Sequence, residues 1–273
     1  MRYRLVALDL DGTIVDSSLQ VDPRDAQAVG RAVEAGVHVV ACSGRPFPAA
    51  LPWAHHLALQ DPLVCYQGAQ VRGLDGAMLL DHGVPHELAM EVVNFCRPRN
   101  LHVQGYRDDE LLVERDRPEA RHYSRVSGMP FHVVPDLNEA LGATTPKVVV
   151  VAAKDKIERL LPEFRRRWGK RLTITTSLPE YLEITSLEAD KAKAITFLAE
   201  RLAVSAGETV ALGDGRNDAP MLDWAGLGVA VEGAAPEVLE VADRVIAPPG
   251  SGAIAELFEE LGLGSKPSPV RQS

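Results

Sequence analysis

The sequence predicts an α/β protein in which a doubly wound parallel-sheet core is interrupted by a smaller, inserted α+β domain. Two observations predict this class. Apolar, strand-like runs alternate with helix-like segments over the first ninety residues, and the same alternation resumes after residue 186. Between these two parts the strand-like segments come in adjacent pairs, which favours a separate domain with its own sheet. A chain of 273 residues is long enough for two modest domains.

The first part of the chain begins with a predicted buried strand at residues 5–10, an apolar run that ends in acidic residues and a glycine. Residues 23–35 predict a helix, because they open with proline, carry apolar residues at helical spacing and stop at a glycine. The β-branched and apolar residues 37–43 predict the second strand, and residues 62–71 predict the third. Strands separated by helices indicate βαβ units and therefore a parallel sheet.

The middle of the chain has a different pattern. A helix predicted at 86–97 is followed by two strands with no helix between them, at 101–106 and 110–115. A buried strand, a helix and two further neighbouring strands are predicted at 147–153, at 156–169 and within 172–186. This order of elements is typical of an α+β domain.

After residue 186 the alternation returns, with a predicted helix at 191–202 and a predicted strand at 208–214. We therefore predict that residues 1–82 and 186–273 form the doubly wound core domain. Residues 83–185 would form the inserted domain, with hinges near its two ends.

Composition and charge exclude several classes of protein. Hydrophobic residues make up 46% of the chain and charged residues 25%, which excludes intrinsic disorder and a coiled coil. A net charge of -9 argues against nucleic acid or an anionic membrane as a partner. The chain has no apolar run of the roughly 18 to 20 residues that a membrane helix needs. Three widely spaced cysteines without a C-x-x-C pair indicate a reducing compartment, so we predict a cytoplasmic protein, either monomer or homodimer.

The strongest chemical signal follows the first predicted strand, in the pattern Asp9-Leu10-Asp11-Gly12-Thr13. Residues i and i+2 of an extended segment project to the same side, so both carboxylates are expected to point one way. They would lie at the carboxyl end of a buried strand, where open α/β sheets bind ligands. Two crowded carboxylates repel each other, and hard oxygen ligands favour Mg²⁺ over zinc as the cation that relieves the repulsion. The alternative is a solvated Asp-Gly turn.

A second acidic cluster follows the strand at 208–214. The segment GDGRND places Asp214 and Asp218 at the end of this strand, with Asn217 beside them. It does not match the dinucleotide fingerprint, because an acidic residue stands at the sixth position and would repel a pyrophosphate. The pattern favours a metal ligand at Asp214. The alternative is a glycine-rich turn in which Asp218 caps the next helix.

Two further signals are weaker when taken alone. Ser43-Gly44-Arg45 follows the second predicted strand, where a hydroxyl and a backbone N–H can hold a phosphate oxygen. Lys191 begins a predicted helix, which would add positive charge near the helix N-terminus. The alternatives are an ordinary turn serine and a solvated lysine.

Taken in order along the chain, these four patterns resemble the motifs of the haloacid dehalogenase (HAD) superfamily. The long insertion between the serine and lysine motifs resembles that of the Cof-type, class IIB (C2B) capped sugar-phosphate phosphatases. The resemblance covers essentially the whole chain and implies a Rossmann-like catalytic core with an inserted α+β cap domain. Two departures concern loop geometry and substrate contacts: the lysine is followed by Ala192 where the family often has glycine, and Gln67-Gly68 stands where Asn-Gly is common.

The resemblance implies a role for each motif residue. Asp9 would be the nucleophile that forms an aspartyl-phosphate, and Asp11 would be the general acid and base. Ser43 and Lys191 would hold the phosphoryl oxygens. The remaining implied roles are phosphate or substrate binding by Gly44, Arg45 and Asn217, and Mg²⁺ binding by Asp9, the backbone carbonyl of Asp11, Asp214 and, directly or through its neighbours, Asp218.

The function implied is a Mg²⁺-dependent phosphatase acting on small phosphomonoesters such as sugar phosphates. A phosphomutase on the same scaffold would use the same motifs and stays an alternative. A non-catalytic metabolite-binding regulator is another, although its expected mark is loss of Asp9, Asp11 or Lys191, and all three are present.

Overall fold

The computed structural model describes residues 2–176 and 178–264. The other positions, among them the last residues of the predicted core domain, lie outside the described residues. The strands are β1 (Leu5–Leu8), β2 (His38–Ala41), β3 (Leu63–Cys65), β4 (Gln70–Arg72), β5 (Met78–Asp81), β6 (Val84–Pro85), β7 (His102–Arg107), β8 (Glu110–Val113), β9 (Phe131–Val133), β10 (Thr144–Thr145), β11 (Val148–Val151), β12 (Leu172–Thr176), β13 (Tyr181–Ser186), β14 (Thr209–Gly213), β15 (Leu227–Val231) and β16 (Arg244–Ile246). The helices are α1 (Pro23–Glu34), α2 (Phe47–His56), α3 (His86–Cys96), α4 (Pro118–Ser127), α5 (Leu137–Ala140), α6 (Lys154–Trp168), α7 (Lys191–Leu202), α8 (Ala219–Trp224), α9 (Pro236–Val241) and α10 (Ala253–Glu260).

A parallel sheet with the strand order β16-β15-β14-β1-β2 forms the centre of the core. All four residues of β1 are buried, because helices cover both faces of the sheet. Val6 and Leu8 belong to an apolar cluster with α1 and α10, while Leu5 and Ala7 belong to a cluster with α7 and α8. The predicted α/β, doubly wound class is confirmed. As a consequence, the carboxyl ends of β1, β2 and β14 meet at one edge of the sheet.

A second sheet, with the order β12-β13-β11-β7-β8-β9, lies within residues 102–186. Its strands pair antiparallel except for β8 and β9, and the predicted neighbours β12 and β13 are paired as expected. One face packs on α3 and α6 through an apolar cluster that contains Val148 and Leu182. Residues of the opposite face, among them Val149 and Tyr181, belong to the same apolar cluster as the core. The second sheet therefore has its own apolar layer and also contacts the core.

The predicted third strand at 62–71 is wrong in one respect, because two antiparallel strands occupy this segment. The pair β3 and β4 is joined by a turn at Tyr66–Gly68, whose residues have φ angles of 51°, 60° and 94°. These left-handed values reverse the chain direction and are uncommon outside glycine. A Cβ on Gly68 would collide with the backbone of Asp190, so glycine lets this turn pack against the residue before α7. The turn therefore lies next to Lys191.

The three cysteines are buried and free, as the sequence predicts. Burial raises the pKa of the Cys65 thiol, and likewise that of Cys96, to about 12, and it also raises the pKa of Cys42. We expect the native protein to react with iodoacetamide at pH 8 far more slowly than the protein unfolded in urea, because the thiolate is the nucleophile. Intact-mass spectrometry over time measures this difference. Equal labelling rates in the two states would contradict the buried placement of the thiols.

Candidate active site

Three loops and one helix start come together at the carboxyl edge of the parallel sheet. Asp9 follows β1, and its N–H donates to the Leu212 carbonyl of β14 over 3.0 Å. Ser43 closely follows β2, and its N–H donates to the Val64 carbonyl of β3 over 2.8 Å. These backbone hydrogen bonds fix the start of each loop relative to its neighbour, so the sheet positions the predicted motifs side by side.

Lys191, the first residue of α7, lies at the centre of this group. Its Nζ atom donates to Asp9 Oδ1 and to Asp218 Oδ1, in both cases over 2.5 Å. The Lys191 and Asp218 side chains are each 1% exposed, so the alternative of a solvated lysine is wrong. Burial alone lowers the pKa of Lys191, but the adjacent carboxylates of Asp218 and Asp9 outweigh it and raise the pKa. The lysine is therefore held as an ammonium between two acids.

Asp218 is fixed by backbone donors as well as by the lysine. Its Oδ2 atom accepts from the N–H groups of Asp214 and Gly215, over 3.2 and 2.9 Å. Asp218 stands at the N-cap position of α8 but makes no capping hydrogen bond with its side chain, so its interpretation as a helix cap is wrong. A Cβ on Gly213 would collide with Asp218, which explains a glycine at the end of β14. The second acidic motif is thus folded around the Asp218 carboxylate.

Asp9, Asp214 and Asp218 form an acidic group in which one oxygen of each lies within 4.8 Å of the others. Thr13 Oγ1 donates to Asp214 Oδ1 over 3.2 Å, which orients that carboxylate. Burial, together with the charge of Asp218, raises the pKa of Asp9 well above its ordinary value, although Lys191 acts in the opposite direction. The ammonium of Lys191 contacts two of these three carboxylates, and all the candidate ligand atoms are hard oxygens. This donor set fits a divalent cation.

Asp11 has a different environment from Asp9. Arg45 donates to both of its carboxylate oxygens, from Nε to Oδ2 over 2.7 Å and from Nη2 to Oδ1 over 2.5 Å. The Asp11 side chain is half exposed, and the acidic group found among the described residues does not include it. Because β1 ends at Leu8, the extended geometry that would align Asp9 and Asp11 does not continue through the motif. The two carboxylates consequently have separate partners.

The remaining predicted residues lie around this centre. Ser43 is buried, and its Oγ atom accepts from the Arg45 N–H over 3.1 Å. Gly44 follows it, and a Cβ there would lie 3.3 Å from Gln67 Cγ. Asn217 is exposed, and Lys191 Nζ donates to the carboxylates of Asp9 and Asp218. The roles inferred for these residues stay predictions.

Two contacts of the site were missed by the sequence reasoning. The sequence indicates only a phosphate or substrate contact for Arg45 and does not predict its bidentate contact with Asp11. In the sequence, Gln67 stands out only because it occupies the position where the resemblance leads us to expect the asparagine of Asn-Gly. In the structure, its side chain lies against Gly44 of the serine motif. The available signal was its position two residues after a buried strand, which is where the other site residues also occur.

Comparison with known proteins identifies the family. The sequence model of the haloacid dehalogenase-like hydrolases matches residues 6–258 of the chain. This chain is a haloacid dehalogenase-like hydrolase. The family predicted from the four motifs is thereby confirmed, as is the predicted class of enzyme, a phosphatase of this superfamily. In the described part of the chain, the helices are too short or too polar to cross a membrane.

Relatives and solved structures extend over nearly the whole hydrolase. The HMP-PP phosphatase of Serratia proteamaculans is 28% identical over 240 residues, covering 86% of this chain and 86% of the relative. The crystal structure of TM0651 from Thermotoga maritima is 30% identical, has a TM-score of 0.88, and covers 94% of this chain and 97% of its own. A haloacid dehalogenase-like hydrolase from Bacteroides thetaiotaomicron is 26% identical, with a TM-score of 0.87 and coverage of 95% and 99%. The fold of this chain is therefore shared with solved members of the family.

Proposed function

We propose that the protein is a Mg²⁺-dependent phosphatase that hydrolyses small phosphomonoesters through an aspartyl-phosphate on Asp9. The observation that supports this most directly is the buried contact of Lys191 with both Asp9 and Asp218, beside Asp214. Burying a lysine between two acids, next to a third, carries a desolvation cost, and ionisable clusters of this kind are concentrated at functional sites. A carboxylate next to an ammonium and a divalent-cation site is suited to attack an anionic phosphoryl group.

In this mechanism an Asp9 carboxylate oxygen attacks phosphorus, and the bond from phosphorus to the leaving oxygen breaks. Asp11 gives its proton to that leaving oxygen. It then removes a proton from the water that hydrolyses the aspartyl-phosphate. The half-exposed position of Asp11 supports this role, because the leaving group must approach from the open side of the site. The contact of Arg45 with both oxygens belongs to the ionised Asp11 carboxylate, which is the form that accepts the proton from water in the second step.

Ser43 and Lys191 would hold the phosphoryl oxygens and offset the charge that develops on them. Asp9, Asp214 and the backbone carbonyl of Asp11 would hold Mg²⁺, and Asp218 would contribute directly or by fixing its neighbours. When bound, the metal ion supplies positive charge that lets an anionic carboxylate approach an anionic phosphoryl group.

We further propose that residues 83–185 form a cap that closes over this site. Strand β6 stands at the start of this segment, where it pairs with β10, and Gly83 precedes β6 as a candidate hinge. Arg72 of the core contacts Asp109 of the β7–β8 turn over 3.1 Å, which supports a closed arrangement. A site covered in this way favours small phosphorylated metabolites over macromolecules.

Phosphate release from a panel of sugar phosphates, nucleotides, flavin phosphate and pyridoxal phosphate tests the proposal. We expect release from one or a few compounds with Mg²⁺, and a loss of at least about 100-fold with a chelator, since metal assistance contributes several kcal/mol. Adding back Mg²⁺ after chelation is the control and should restore the rate. Release that is unaffected by the chelator would contradict the role of the acidic group.

Mass spectrometry of the products separates hydrolysis from phosphoryl transfer within the substrate. Inorganic phosphate in equal amount to the consumed substrate supports the phosphatase. An isomerised sugar phosphate without inorganic phosphate would favour the phosphomutase instead.

A further inference from the structure

A buried ion pair lies on the face of the second sheet that is turned toward the core. Lys147 Nζ donates to Glu183 Oε1 over 3.1 Å, and the side chains are 6% and 4% exposed. Glu183 stands opposite Val149 in the register of β11 and β13, and Val149 belongs to the apolar cluster shared with the core. The ion pair therefore lies between the second sheet and the core.

Gln67 connects this ion pair to the loop that carries the serine motif. Its Nε2 atom donates to Glu183 Oε2 over 3.0 Å, and its backbone N–H donates to the Ser43 carbonyl over 3.0 Å. The side chain of Gln67 also lies against Gly44. A polar chain thus runs from Lys147 through Glu183 and Gln67 to the loop for which we propose phosphoryl binding.

Stability alone does not account for the ion pair. Burial by itself lowers the pKa of Lys147, but the charge of Glu183 outweighs it and raises the pKa, so the lysine is charged. A buried ion pair in a largely apolar layer is often replaceable by apolar residues without loss of stability. Its position next to the site provides a functional reason for these two charges.

The residues around the pair supply further hydrogen-bonding groups. Tyr66, next to Gln67, is fully buried, and Tyr181, two residues before Glu183, is 3% exposed. Within the described residues, neither phenol hydroxyl has a hydrogen-bond partner. Buried hydroxyls of this kind are costly when unsatisfied, and they can donate to a polar ligand.

We propose that Lys147, Glu183 and Gln67 form the leaving-group subsite of the phosphatase, and that this subsite selects monophosphates of polyhydroxylated compounds. The inference rests on the proposed function and adds the residues that choose among its substrates. A hydroxyl group of the leaving group donates to the Glu183 carboxylate, while Lys147 and Gln67 donate to its oxygen atoms. An aryl leaving group without hydroxyls has nothing to donate to the Glu183 carboxylate, so it lacks the contact that selects polyhydroxylated compounds.

Gln67 has a length suited to this task. Asparagine at this position would be one methylene shorter, so its amide would be drawn away from the Glu183 carboxylate that Gln67 contacts over 3.0 Å. Gln67 has a φ of 60°, a value that asparagine tolerates better than most residues. Gln67→Asn therefore keeps the turn and the amide while withdrawing the amide from the second sheet.

The decisive variant combines Lys147→Met with Glu183→Leu, which leaves no buried charge unpaired. Initial rates give kcat/KM for hexose 6-phosphates, glycerol 3-phosphate and p-nitrophenyl phosphate, all with Mg²⁺. We expect kcat/KM to fall about 10- to 100-fold for the polyol phosphate that the wild type uses best, and to stay within about threefold for p-nitrophenyl phosphate. Gln67→Asn should give a smaller loss in the same direction. Thermal unfolding checks that each variant is folded.

The matched control is Asp109→Asn, which removes the ion pair with Arg72 at another contact between core and cap. It should change kcat/KM for both substrate classes by the same factor. The subsite would be overturned if kcat/KM of the double variant fell by the same factor for polyol and aryl phosphates, or if it fell for neither. If the wild type releases phosphate only from compounds whose leaving group has no hydroxyls, the subsite is overturned but the proposed phosphatase activity is supported. A wild-type enzyme that releases no phosphate from any compound would overturn both.

Discussion

Replacing Asp9 by asparagine is expected to reduce Mg²⁺-dependent phosphate release by at least about 10⁴-fold, the scale seen when an enzyme loses its nucleophile. The amide keeps the shape of the side chain but cannot attack phosphorus at a useful rate. Folding should be preserved, because Lys191 still contacts Asp218 and the repulsion within the acidic group is reduced. Hydrolysis of p-nitrophenyl phosphate with saturating Mg²⁺ measures the loss, and urea unfolding measures the stability.

Asp223→Asn is the matched control for this experiment. Asp223 is exposed on α8, a short distance along the chain from the acidic group, and the same chemical change there should leave the rate within about twofold. A near wild-type rate for Asp9→Asn would show that Asp9 is not the nucleophile. A loss of rate accompanied by unfolding would instead show that Asp9 has a structural role.

The position of the site could be predicted because the order of elements determines it. Parallel strands joined by helices must end at the same edge of the sheet, so motifs that follow successive strands come together whatever the intervening sequence. Asp9, Ser43 and Asp214 each follow a strand of this kind, and the structure places them at one edge. The burial of Lys191 could not be predicted in the same way, because it depends on how α7 packs over the sheet.

Other features depend on local geometry or on distant contacts. The separation of Asp11 from the acidic group follows from the end of β1 at Leu8, and strand ends are the least certain part of any sequence pattern. The contact of Gln67 with Glu183 joins residues 116 positions apart, so no local pattern reports it. The sequence pattern predicts one strand in place of the hairpin around Tyr66, because the residues on both sides of the turn are apolar.

Lys191→Met should be the most destabilising of the single substitutions in the site. The lysine is the cation that separates the Asp9 and Asp218 carboxylates, and methionine fills similar space without a charge. Removing one partner of a buried ion pair typically costs about 3–5 kcal/mol in the free energy of unfolding, because the other charge is left uncompensated. Phosphate release should also fall by at least about 100-fold, since the charged contact that we propose with the phosphoryl oxygens is lost.

Lys193→Met provides the comparison, because Lys193 lies in the same helix turn but is half exposed, and its ion pair with Glu188 is on the surface. Its removal should cost far less in the free energy of unfolding than the removal of Lys191, because water screens an exposed ion pair. Urea unfolding of both variants, with and without Mg²⁺, then separates two explanations for a buried lysine. If Lys191 neutralises the acidic group, Mg²⁺ should stabilise Lys191→Met more than the wild type, since the cation takes over part of the lost compensation. Equal stabilisation of both proteins by Mg²⁺ would mean that the lysine and the metal ion act on different charges.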